Sequence, residues 1–176
     1  MKMLAVFSVV LAASPMTSNG QVLDAKKTSL IDQEAYEREL AFQMAPIKSA
    51  ADLSDYLAKN KGKTTPLSAL SPGAQQRFLK SLMFTEKGLA TFAYPDLRAE
   101  LTASQIYQIL SLFGSQRSIN AIKGMSGTTQ ADRLIINANQ LAPNSTITPY
   151  TDYSDYECEA RGTCSWMQFK ICTSNC

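Results

Sequence analysis

From Ser29 to about Ile122 the apolar residues recur at helical spacing, and residues with special backbone or capping chemistry separate the runs. Leu30, Ala35, Leu40, Ala41 and Met44 fall largely on one face, which predicts a helix ending before Pro46. Ser49 stands three positions ahead of Asp52, the order of a capping hydroxyl and a first-turn carboxylate, and predicts a second helix carrying Leu53, Tyr56 and Leu57 as far as Gly62. Thr65-Pro66 and Ser71-Pro72 each put a hydroxyl before a proline at the first helical position, where a missing N–H loses no helical partner. The second predicts a helix with Ala74, Phe78, Leu79, Leu82 and Met83 inward and a left-handed terminus at Gly88. A short turn follows from Tyr94-Pro95-Asp96 through Leu97 and Leu101.

Thr102 and Gln105 form a capping-box pair, so Ile106, Ile109, Leu110 and Phe113 belong to a helix that stops at Gly114. Ile119 and Ile122 predict one further turn, and Thr129 a last helix with Ala131, Leu134, Ile135 and Ala138. Beyond Pro143 the periodicity ends. Residues 142–156 are rich in Pro, Ser, Thr, Asp and Tyr and read as an extended linker. From Cys164 to Cys172 the pattern has period two, with Cys164, Trp166, Gln168, Lys170 and Cys172 on one side, and Tyr156–Ala160 can pair with it through Arg161-Gly162. The expected fold is therefore mainly α: a small helical bundle over 21–141, the linker, and a disulfide-stapled β-hairpin-like tail over 157–176.

Residues 1–20 have a different character. Lys2 precedes an uncharged apolar run from Met3 to Ala13, too short to span a bilayer and followed by small and polar residues, which predicts a secretory signal cut between Ala13 and Gly20. No other stretch reaches the roughly 18 apolar residues of a membrane helix, so no transmembrane segment is expected. All four cysteines, Cys158, Cys164, Cys172 and Cys176, fall within the last nineteen positions, and behind an export signal an even count implies disulfides. The localisation that follows is secreted or periplasmic. A straight strand would hold Cys164 and Cys172 about 26 Å apart, too far for one bond, which excludes the nested pairing. The turn at Arg161-Gly162 then favours Cys158–Cys164 with Cys172–Cys176 over the interleaved pairing. Each closed loop would add about 2–3 kcal/mol.

Net charge is +2: Lys2 contributes +1, residues 21–149 +3 (14 basic, 11 acidic) and residues 150–176 −2 (2 basic, 4 acidic). No dense basic field exists for phosphates, so nucleic acid is not an expected partner. The chain has no histidine, which removes Ser-His-Asp and Cys-His catalysis and the usual imidazole metal ligands. The spacing C-x5-C-x7-C-x3-C lacks the short pairs of a zinc knuckle, and no metal or cofactor is expected. Gly124-Met125-Ser126-Gly127 is one residue short of a nucleophile elbow, and Gly62-Lys63-Thr64 lacks the first glycine of a phosphate loop.

Asp32, Glu34, Glu37 and Glu39, or Asp96 with Glu100, could act as a carboxylate pair, but they occupy ordinary surface positions beside Arg38 and Arg98. Asp152, Asp155, Glu157 and Glu159 match no calcium-loop spacing. Tyrosine recurs at 150, 153 and 156, and Asn144-Ser145-Thr146 is a glycosylation acceptor in a eukaryotic export route. These residues carry no reaction. They support an exported binding or interaction module contacting a protein or cell-surface partner through Trp166, Phe169, Tyr150, Tyr153 and Tyr156 on the stapled tail, with a precursor of a disulfide peptide (about 150–176) as the alternative and a carboxylate hydrolase third.

Overall fold

The computed structural model describes residues 19–140 and 150–176, so most of the signal segment, the start of the linker and Asn144 lie outside the described residues. The elements are α1 (Asn19–Met44), α2 (Ala50–Lys59), a 3-10 turn (Pro66–Ala69), α3 (Pro72–Lys80), β1 (Met83–Thr85) and β2 (Gly88–Ala93). They continue with α4 (Pro95–Glu100), α5 (Ala103–Ser111), a 3-10 turn (Gln116–Ala121), α6 (Gln130–Gln140), β3 (Tyr153–Ala160) and β4 (Thr163–Cys172). Local capping chemistry sets several boundaries as anticipated. Ser49 Oγ accepts from Asp52 N, and the Thr102/Gln105 box closes the start of α5, with Gln105 Oε1 accepting from Thr102 N at 2.9 Å.

The expectation of a mainly α chain with a hairpin tail does not hold. The fold is mixed α/β, built on a four-stranded antiparallel sheet in the order β1-β2-β4-β3. The segment read as helix up to Gly88 contains instead the end of α3, the three-residue β1 and a tight turn, and Met83 is exposed. Gly88, at φ +109, sits at the turn into β2 rather than at a helix terminus. Strand β2 escaped the pattern because it is buried on both faces: Leu89, Ala90, Thr91 and Phe92 are all covered, so no polar alternation marks it. The hairpin is joined to it, since Thr91, Phe92 and Ala93 pair with Cys172, Ile171 and Lys170.

Between sheet and helices lies one apolar core. Phe78 of α3 meets Phe92 of β2 and Phe113 after α5 edge-on, with ring centroids 6.4 and 6.2 Å apart, and Ile171 of β4 completes the floor. Near the C-terminal end of helix α1, Gly114 (φ +65) lets the turn after α5 approach the helix backbone. A Cβ there would lie 2.8 Å from Ala41 O and Phe42 Cα. Leu40 and Met44, placed by their spacing on the apolar face of this helix, are exposed.

Asp132, on the first turn of α6, is fully buried and ties two helix starts together. Its carboxylate accepts from Ser104 N and Oγ at the start of α5 and from Thr129 N and Oγ1, which cap α6. The Ser104 hydroxyl, followed by the Thr129 and Ser104 amides, holds its pKa well below the ordinary carboxylate range. A depressed folded-state pKa contributes stability that is present above the unfolded value, about 3.9, and is lost as pH falls towards the folded one. Asp132→Asn is therefore expected to be less stable than the parent at pH 7, with the difference shrinking between about pH 5 and pH 2 as measured by urea unfolding. A constant difference across that window would contradict this assignment.

Candidate interaction surface

The predicted contact residues sit on a hairpin that does not run straight. Ser154 pairs with Ile171 and Tyr156 with Trp166, so the single residue Asp155 on β3 faces four residues, 167–170, on β4. Asp155 and Phe169 both adopt left-handed backbone, φ +65 and +70, which an aromatic side chain rarely does. The bulge is pinned from within: Asp155 Oδ1 accepts from Phe169 N at 3.0 Å and from the hydroxyl of buried Tyr94 at 2.8 Å, and Lys123 stands 3.5 Å from the second oxygen. The Tyr94 hydroxyl, the Phe169 amide and Lys123 together lower the Asp155 pKa, while burial and the facing carboxylate raise that of Tyr94.

Folding back at this bulge changes which cysteines meet. The bonded pairs are Cys158–Cys176 and Cys164–Cys172, with Cα atoms 5.6 and 6.0 Å apart. This is the nested connectivity, which the straight-strand distance excluded; Cys158–Cys164 with Cys172–Cys176 is not formed. The inference failed because β4 reverses within eight residues. The hairpin tip now lies over β2, where Cys158 N donates to Thr91 Oγ1, and the chain end is held by Thr173 Oγ1 donating to Leu89 O.

Tyr156 and Trp166, as cross-strand partners, share one face, and the Tyr153 ring lies 5.9 Å from that of Tyr156. Trp166 is 68% exposed, Phe169 43%, and Tyr153 and Tyr156 38% and 37%. Thus Tyr153, Tyr156 and Trp166 form one aromatic row, while Phe169 stands at the bulge, its ring edge against Tyr94. Tyr150 is half-buried in the turn before β3. Met167, exposed beside Trp166 within the bulge, was not singled out by the sequence.

Neighbouring charges are internally paired. Asp152 accepts from Ser174 N at 2.7 Å and from Arg38 of α1, whose Nη1 also reaches Ser174 Oγ; Lys170 is bound to Glu157. Arg117 holds both Glu34 and Glu37, and although burial raises the Glu34 pKa, the Arg117 and Arg38 guanidiniums lower it further than burial raises it. Asp96 chelates Arg77, and Glu100 accepts from Ser71 N and Oγ. These carboxylates serve as structural partners: Glu34 and Glu37 converge on the Arg117 guanidinium, which pairs them with a cation, while Asp96 and Glu100 turn to Arg77 and Ser71. Asp152, Asp155 and Glu157 likewise turn to separate partners, away from a shared calcium position. The Gly124–Gly127 segment is a loop bridged through Ser126 to Thr102, and Gly62 closes the turn after α2.

Comparison of the chain with protein-family models, with curated proteins and with solved structures found no match. No helix among the described residues is long and apolar enough to cross a membrane.

Proposed function

We propose that the protein is an exported binding module whose contact surface is the bent, disulfide-stapled hairpin, centred on Tyr153, Tyr156, Trp166 and Phe169. The observation that carries this reading is Phe169: an exposed aromatic held at positive φ by a carboxylate that is itself locked to the core. Such strain costs about 1–3 kcal/mol and persists where the surrounding structure over-determines it, as at binding surfaces. The rings supply contact area at low entropic cost, and disulfides and ion pairs keep their frame rigid before any partner arrives. The cysteine pairs support passage through an oxidising compartment. Against release of residues 150–176 as a free peptide stands β4, which lies between β2 and β3 and contributes Ile171 to the core.

A photo-reactive residue placed at position 166 in the natural host is expected to give one discrete cross-linked adduct in the exported fraction. The same residue at Leu134, equally exposed on α6, is expected to give none. Identical adducts from both positions, or none from 166, would count against the hairpin as the contact surface.

A further inference from the structure

Both disulfides crowd into one small volume. The Sγ atoms of Cys164, Cys172 and Cys176 all lie within 4.8 Å of one another, although Cys176 is bonded to neither of the other two. The sulfur of Cys158, bonded to Cys176, stands outside that 4.8 Å group, and as the cross-strand partner of Cys164 it is the fourth sulfur, one that has to swing in once its bond to Cys176 opens. A tetrahedral tetrathiolate centre with Zn–S bonds of about 2.3 Å spaces its sulfurs about 3.8 Å apart. The three sulfurs thus lie no more than about 1 Å beyond that spacing, and opening each S–S bond moves its atoms towards it. The short cysteine pairs that the sequence lacks are supplied by the folded-back strand.

The frame around these sulfurs does not depend on the disulfides alone. Cys158 N donates to Thr91 Oγ1, Cys172 is paired with Thr91 in the ladder, Thr173 N donates to Ala90 O, and Gly162 N donates to Cys176 O. Ala160 O lies 3.6 and 3.2 Å from the sulfurs of Cys158 and Cys176, placed to accept S–H bonds once the disulfides are open. Beside Cys176 a surface pocket of about 240 Å³, lined also by Thr85, Glu86, Lys87 and Arg161, gives a route from solvent and two cations near the cluster.

We propose that the reduced chain binds one zinc ion through the sulfurs of Cys158, Cys164, Cys172 and Cys176, and that zinc and the two disulfides are mutually exclusive states of the same site. A small-molecule thiol reduces each disulfide with two electrons and two protons and leaves as its own disulfide. Zn2+ then displaces four protons from the four thiols to give a dianionic tetrathiolate, and a disulfide oxidant of the same class reverses the sequence by releasing the metal. Four soft sulfurs in a tetrahedral arrangement select zinc over magnesium or calcium.

The test uses the full chain, oxidised or reduced with a phosphine, and Co2+ as the spectroscopic probe. The reduced chain is expected to take up one Co2+ with the intense visible bands of a tetrahedral thiolate site, bleached by one equivalent of Zn2+, while the oxidised chain takes up none. Should the reduced chain unfold without metal, one equivalent of Zn2+ is expected to restore slow hydrogen exchange at the Cys158 amide. Serine at any one of the four positions is expected to weaken Zn2+ binding to the reduced chain by about tenfold or more. Absence of the tetrahedral bands, the same bands with a fast-exchanging Cys158 amide, equal uptake by the oxidised chain, or undiminished affinity in a serine variant would overturn the proposal.

Discussion

Replacing Cys158 and Cys176 together by serine is expected to lower folding stability by about 3 kcal/mol, and replacing Cys164 and Cys172 by about 2.5 kcal/mol, the order following the loops of 18 and 8 residues that the bonds close. Either loss is a large share of the about 5–15 kcal/mol that holds a domain folded. The stabilisation arises mainly in the unfolded chain, which the bonds keep from exploring open conformations. In the folded state the ladder from β2 to β4 and the Thr173–Leu89 hydrogen bond remain, so each variant should still fold at 25 °C with its melting midpoint reduced by about 10 °C. Urea unfolding at pH 7 checks both values. Losses under about 1 kcal/mol would mean that the hairpin is held by its hydrogen bonds alone.

Phe78→Ala is expected to cost about 3–5 kcal/mol. Phe78 is 1% exposed and touches rings from two other elements, Phe92 of β2 and Phe113 beyond α5, so truncation leaves a cavity where sheet and helices meet. Neither neighbour can collapse into it easily, because Phe92 is fixed by the ladder to Ile171 and Phe113 by the turn at Gly114 that receives α1. Met83→Ala, five residues on and exposed, is expected to stay within about 0.5 kcal/mol of the parent. Equal effects at the two positions in guanidinium unfolding would contradict the placement of the core.

Where a boundary depends on side chains a few residues apart, the sequence revealed it. Ser49 with Asp52 and Thr102 with Gln105 are contacts over three residues, and α2 and α5 begin where they require. Arg161-Gly162 turns β3 into β4 for the same reason, with Gly162 at φ +74. Features set by distant partners were hidden. Strand β2 is buried on both faces by segments from α3 to β4, so its residues show neither period two nor period 3.6. The reversal at Phe169 depends on Asp155, fourteen residues earlier, and on Tyr94, seventy-five residues earlier, and nothing in the spelling of Met167–Lys170 announces it. That one missed bend produced the wrong cysteine pairing. The exposed rings were found because their residue types stood out, whereas their grouping into a row of Tyr153, Tyr156 and Trp166 required the register.

A hairpin folded back on its own sheet, with its rings outward, is what both the contact surface and the sulfur cluster rest on, and its disulfide connectivity tests it most directly. Trypsin acting on the non-reduced chain cuts after Arg161 and Lys170, leaving Cys158, Cys164 and the Cys172/Cys176 pair on three separate peptides. The account predicts one species containing all three. Fragmentation between Cys172 and Cys176 should leave the Cys158 peptide attached to Cys176 and the Cys164 peptide attached to Cys172. A Cys158–Cys164 pair separate from a looped Cys172–Cys176 peptide, or fragments with the two partners exchanged, would contradict the fold-back at Asp155 and Phe169.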